Sequence, residues 1–152
     1  MKIAIGADHA GFGLKEDIVA LLKKGGYDFI DCGTDSTASV DYPDFGEKVS
    51  QLVSDGKVDR GILVCGTGIG MSMVANKFPN VRASLCNDLF CARMSRLHND
   101  ANVLVLGGRI IGKDLAAEIV TTWLNTAFEG ERHLRRLNKI RKIEEHLNHN
   151  GQ

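Results

Sequence analysis

No run of this 152-residue chain is apolar for long enough to cross a membrane. No signal-peptide pattern opens it; the N-terminus reads as a strand, and the expected compartment is the cytoplasm. Net charge is also missing. Lys plus Arg and Asp plus Glu number 19 each, so nothing favours nonspecific binding to nucleic acid. The four cysteines, Cys32, Cys65, Cys86 and Cys91, form no CxxC pair and no zinc-finger spacing. Reduced thiols in a cytosolic protein are the simpler account, and no metal set is evident. Repeats and low-complexity segments are absent as well. The length suits a single domain over 1–152 with a real core.

What is present is alternation. Strands are expected at 2–6, 27–32, 61–65, 81–85 and 102–106. Leu14, Ile18, Leu21 and Leu22 recur at helical spacing, as do Phe45, Val49, Leu52 and Val53. Further helices are expected over 71–78, 88–97 and 115–124. Five strands alternating with helices predict one parallel α/β sheet with helices on both faces.

The rest is organised around Ile62-Leu63-Val64-Cys65-Gly66-Thr67-Gly68-Ile69-Gly70-Met71-Ser72. An apolar strand breaks into a glycine-rich turn and re-enters a helix. Such a turn cradles anions, because unpaired N–H groups and the helix dipole favour negative charge there. A cysteine at its mouth is placed where thiolates are stabilised, which makes Cys65 a candidate base or nucleophile. The competing reading is a small buried hydrophobe. The G-x-G-x-G run is not a dinucleotide fingerprint, although Asp88 keeps a nucleotide-binding module open. A cysteine phosphatase would want arginine at position 71, where Met71 stands.

Ligands of parallel sheets bind at the carboxyl ends of strands. This chain places Asp8-His9, Asp41-Tyr42, Cys65-Gly66-Thr67, Asn87-Asp88 and Arg109 there. Asp8 could equally cap the first helix. His9, Arg109, Arg132 and Arg136 form a set suited to a phosphate. Arg132 and Arg136 lie four apart on a tail helix whose stripe is Leu134, Leu137, Ile140, Ile143 and Leu147. That stripe needs something to cover it, commonly a partner subunit. His98-Asn99-Asp100 falls just before the fifth strand, at the amino edge of the sheet. It is either structural or lent to the pocket of a second copy in a two-fold dimer.

Together these residues resemble the sugar-phosphate isomerases of the ribose-5-phosphate isomerase type B family, which also holds the galactose-6-phosphate isomerase subunits. The likeness is carried by Asp8-His9-Ala10-Gly11, Asp41-Tyr42-Pro43, Cys65 to Gly70, Ala75-Asn76-Lys77, His98 to Val103, Gly107-Gly108-Arg109 and Glu129 to His133. It covers essentially the whole chain. One small departure is Glu131, where a second glycine is common.

The resemblance implies a three-layer α/β/α sandwich, Rossmann-like, with a five-stranded parallel sheet. It adds a C-terminal helix over 131–148 packed on a partner. It implies a homodimer or dimer of dimers with shared pockets. The implied reaction interconverts ribose 5-phosphate and ribulose 5-phosphate through an enediolate, without cofactor or metal. Cys65 is then the base, Met71 standing where another subtype has a glutamate. Thr67 moves protons between sugar oxygens, and His98 opens the furanose. Gly66, Gly68, Ile69 and Gly70 supply the backbone cradle. Asp8, Tyr42 and Asn99 contact the sugar, and His9, Arg109, Arg132 and Arg136 hold the phosphate. A six-carbon sugar phosphate (allose or galactose 6-phosphate) is the alternative substrate, and a non-catalytic nucleotide-binding module the alternative function.

Overall fold

Burial of two-sided apolar strands decides the architecture. The structure, a computed structural model, describes residues 1–149. Five strands alternate with helices: β1 (Lys2–Ala7), α1 (Phe12–Lys24), β2 (Asp28–Asp31), α2 (Tyr42–Ser54), β3 (Arg60–Cys65), α3 (Ile69–Ala75), β4 (Ala83–Leu85), α4 (Leu89–Asn99), β5 (Val103–Gly107), α5 (Lys113–Asn125) and α6 (Glu131–His149). All pairings are parallel, in the order β2-β1-β3-β5-β4. The three central strands are continuous hydrophobic runs, as strands covered on both faces must be.

Alternation along each strand sorts side chains between two layers. Ile3, Ile5, Ile62, Val64, Leu104 and Leu106 face α1, α4 and α5, with the fully buried Trp123 among them. Ala4, Leu63, Cys65, Val103 and Val105 face α2 and α3. The fold is therefore the expected three-layer α/β/α arrangement. The parity of β3 turns the Cys65 thiol towards α2 and α3.

Some boundaries differ from the sequence-based expectation, each for a local reason. The third helix begins at Ile69 rather than Met71, because Gly68 takes a left-handed φ of +81° and starts it at once. The second begins at Tyr42, ahead of the Phe45 that opens its apolar spacing, because Pro43 sits in its first turn, where a missing N–H costs nothing. β4 is confined to Ala83–Leu85; Arg82 before it is turned to the end of α4.

α6 stands beside this body. It is fixed by Leu137, by the buried His133, and by Glu144, whose carboxylate accepts from the Asn80 N–H at 3.1 Å. Its stripe is otherwise uncovered: Leu134, Ile140, Ile143 and Leu147 are 47%, 52%, 60% and 65% exposed. A groove of about 680 Å³ runs between this stripe and the Val81–Ala83 segment. No described helix is long and apolar enough to cross a membrane.

Candidate active site in two halves

At the carboxyl edge, three loops close on one another. Gly108 N–H donates to the Cys65 carbonyl at 2.7 Å, and Arg109 N–H to the Gly66 carbonyl at 2.9 Å. Asp8 N–H donates to the Val64 carbonyl at 3.2 Å. The loops after β1, β3 and β5 are thus one backbone-bonded unit. The Arg109 side chain lies over Gly66, where a Cβ would come 3.6 Å from its Cδ and from the Ala10 methyl.

Cys65 is 5% exposed, and its Sγ accepts from the Gly68 N–H at 3.2 Å. The left-handed turn at Gly68 aims that N–H back at the sulphur. A side chain there would collide with Leu85 and the Leu106 backbone. Thr67 is exposed, and its Oγ1 accepts from Ile69 N–H at 3.3 Å. The first N–H groups of α3, from Ile69 to Met71, have no intrahelical partner, and Thr67 Oγ1 receives the first of them. The Tyr42 ring rests on Gly70, where a Cβ would come within 2.7 Å of it. The cradle is therefore backbone, bounded by the Cys65 thiol, the Tyr42 ring and the Arg109 guanidinium.

Asp8 and His9 complete this half. Asp8 is buried, and one carboxylate oxygen accepts from Gly11 N–H at 2.9 Å, at the N-cap of α1. Asp8 is not itself the cap of α1; it holds the capping residue, Gly11, from the end of β1 at the carboxyl edge. His9 accepts at Nδ1 from Val40 N–H at 3.2 Å. Asp88, on which a nucleotide reading leaned, is occupied as the N-cap of α4. It accepts from Cys91 N–H at 2.7 Å, and that bond holds its carboxyl below the usual range.

His98, Asn99, Arg132 and Arg136 are not there. They lie at the amino edge, the far end of β5, which at five residues spans roughly 17 Å. His98 occupies the last turn of α4, beyond which Asp100 takes a left-handed φ of +44°. Two arginines clamp this turn. Arg82 donates to the carbonyls of Asn99 and Asp100 at 3.1 and 2.9 Å and pairs with the Asp100 carboxylate at 3.0 Å. Arg96, nearly buried, pairs with the same carboxylate at 2.8 Å and donates to the Ala101 carbonyl at 2.6 Å.

The His98 ring stacks on His133, with centroids 4.2 Å apart and planes 13° apart. Glu129 faces both, its Oε2 lying 3.8 Å from His98 Nε2 and 3.4 Å from His133 Nε2. Arg132 Nε–H donates to His133 Nε2 at 3.3 Å. Burial, then the neighbouring His98 and Arg132, push the His133 pKa down. Glu129 and His133 lie in the motif that carries the family resemblance, but the sequence reading gave them no role. Their i, i+4 spacing across the start of the tail helix was the available signal.

Among the described residues, His98, Glu129 and His133 are also the group whose donor atoms could hold a metal, all within 4.8 Å. Nearly parallel rings direct their in-plane lone pairs side by side, not at a common point, and Arg132 already donates into one of them. The trio as it stands is a hydrogen-bonding cluster. One half thus holds the Cys65 thiol and a backbone cradle beside His9 and Arg109, the other a stacked pair of imidazoles among arginines.

Residues 3–140 match the pattern of the family described as Ribose/Galactose Isomerase. The chain is 48% identical over 147 residues to the ribose-5-phosphate isomerase B of Escherichia coli, covering 97% of this chain and 99% of that one. It is 42% identical to the D-erythrulose-4-phosphate isomerase of Pectobacterium atrosepticum, covering 98% and 99%. Its fold superposes on the ribose-5-phosphate isomerase B of Clostridium thermocellum with a TM-score of 0.95 and 55% identity, covering 97% of this chain and 99% of the other.

Proposed function

The chain belongs to the ribose/galactose isomerase family, and we propose that it interconverts D-ribose 5-phosphate and D-ribulose 5-phosphate in sites built from two copies of itself. The observation that carries the reading is the buried Cys65 sulphur held against the Gly68 N–H in a backbone cradle. A thiolate there removes the C2 proton of the open-chain aldose. The electron pair moves into the C1 carbonyl, forming an enediolate whose oxygen the N–H groups of the 66–70 turn receive. Cys65 returns the proton to C1. Thr67 passes the O2 proton to O1, leaving the ketone at C2. A single oxyanion-hole donor is worth roughly 3–4 kcal/mol in other enzymes.

The furanose must open first, and the partner supplies the group that opens it. In a two-fold dimer the amino edge of one copy faces the carboxyl edge of the other. His98 then transfers the proton from O1 to the ring oxygen, and Asn99 bonds a sugar hydroxyl. Arg132 and Arg136 of the partner subunit join His9 and Arg109 around the phosphate. The free Asp8 oxygen and Tyr42 contact the sugar. The uncovered stripe and groove of α6 supply a surface for that pairing. The assembly is a homodimer or a dimer of dimers working in the cytoplasm.

The test is a coupled assay with ribose 5-phosphate, allose 6-phosphate and galactose 6-phosphate, with and without chelator. Fast, chelator-insensitive turnover of ribose 5-phosphate is expected; no turnover of any sugar phosphate overturns the reading. A four-carbon substrate is a second reading, favoured by the Pectobacterium relative, so erythrulose 4-phosphate belongs in the same assay.

A further inference from the structure

The segment between β2 and α2 is bonded to the end of β1 at two places. Ala7 N–H donates to the Gly33 carbonyl at 2.6 Å, and Thr34 N–H to the Ala7 carbonyl at 2.7 Å. Six residues after Thr34, Val40 N–H donates to Nδ1 of His9 at 3.2 Å. The second tie is of a different kind, because it selects a state of a side chain. An imidazole nitrogen that accepts a hydrogen bond carries no proton, and a neutral ring carries its single proton on the other nitrogen. A doubly protonated ring would set N–H against N–H. The backbone of Val40 therefore chooses the form in which Nε2 is the donor and the ring has no charge.

We propose that Val40 is a positioning residue whose backbone N–H holds His9 as the neutral Nε2–H tautomer, so that His9 meets a sugar phosphate as an uncharged, directed donor. This rests on the reading that His9 belongs to the phosphate subsite. Charge at that subsite then comes from the arginines alone, and His9 supplies direction. The same bond fixes the chain two residues before Tyr42, whose ring lies on Gly70. Phosphate and sugar ends of the crevice are thereby held in one register by one backbone donor.

The test is nitrogen-15 NMR of the labelled full chain at neutral pH, with His9→Gln identifying the His9 signals. The expected spectrum has a pyridine-type Nδ1, a pyrrole-type Nε2 and a through-bond coupling between Nδ1 and the Val40 nitrogen. A proton on Nδ1, in either a neutral or a charged ring, overturns the proposal. Val40→Pro deletes the donor and Val40→Ala keeps it. The first should mix the tautomers and raise KM for ribose 5-phosphate roughly five- to ten-fold with kcat little changed, and the second should match the parent. Equal behaviour of the two variants overturns the proposal, and if Val40→Pro does not fold, the spectrum of the parent decides alone. Titration with ribose 5-phosphate should move Nε2 and leave Nδ1 in place. An unmoved Nε2 beside the expected tautomer would refute the phosphate assignment of His9 instead.

Discussion

The two edges of the sheet solve the placing of reactive groups by opposite means. At the carboxyl edge the backbone does it: three loops are bonded to one another, glycines let the chain turn back, and Cys65 merely ends a buried strand. At the amino edge side chains do it: Arg82 and Arg96 clamp the turn after His98, and His133 with Glu129 fixes the ring. A backbone cradle is rigid but chemically uniform, offering N–H groups and little else. A side-chain cluster carries cations and proton carriers but needs outside support. The two sets of groups stand at opposite edges of one chain's sheet, and the proposed second copy is what brings them together without a longer chain.

The largest expected effect tests that division directly. Cys65→Ala should lower kcat by roughly a thousandfold, within the range of lost acid–base groups, while leaving the melting temperature near the parent's. His98→Asn should also be close to inactive on the furanose. Equal amounts of the two, unfolded and refolded together, should recover about a quarter of the parent activity. Half of randomly paired dimers are mixed, and each mixed dimer has one intact site of its two. No recovery in refolded mixtures would mean that one chain holds a complete site.

Substitution in the cradle should come next. Gly68→Ala forces a side chain into a left-handed conformation, worth about 1–2 kcal/mol, and against Leu85. The Gly68 N–H then moves off the sulphur, and kcat should fall roughly a hundredfold, the scale expected of a small misplacement. Retained turnover would show that Cys65 does not depend on that donor. Arg82→Ala probes the other edge. Loss of its bonds to Asn99 and Asp100 should cost about 2 kcal/mol in urea unfolding and lower kcat about tenfold through His98. Unchanged kcat in the destabilised variant would make the clamp purely structural.

The smallest effect is a pH profile. His133 has its pKa lowered in the fold, by burial first, so the unfolded chain binds more protons as pH drops below about 6.5. Its contribution is complete above that value and is lost as pH falls through the lower folded pKa. The urea midpoint should therefore drop between pH 7.5 and 5 more steeply in the parent than in His133→Gln. Parallel profiles would remove His133 from the account.

The carboxyl edge was nearly all legible in the sequence. Its residues follow apolar runs ending in Gly, Asp or Cys, and parallel topology gathers strand ends wherever the chain wanders between them. The position of His98 at the opposite edge was legible for the same reason, since a helix leaving one edge must return to the other. Less could be read where packing decides. Nothing in the chain order says that β5 lies between β3 and β4, nor that Glu129 and His133 meet His98. Those contacts depend on how α6 leaves the body, where Gly130 has a φ of +76° and Glu131 one of +44°. The Val40 bond to His9 escaped as well, because a backbone donor leaves no mark in residue type.

The sheet order bears on how the chain is made. Among the described strands β4 pairs with β5 alone, yet it leaves the ribosome before it. The three N-terminal strands can align as soon as Cys65 emerges, whereas β4 has no neighbour until the segment ending at Gly107 arrives to fill the slot. The sheet order therefore divides strand pairing into two stages. The thiol and its cradle belong to the first, and the far wall of the cradle, Leu85 and Leu106, closes only with the second.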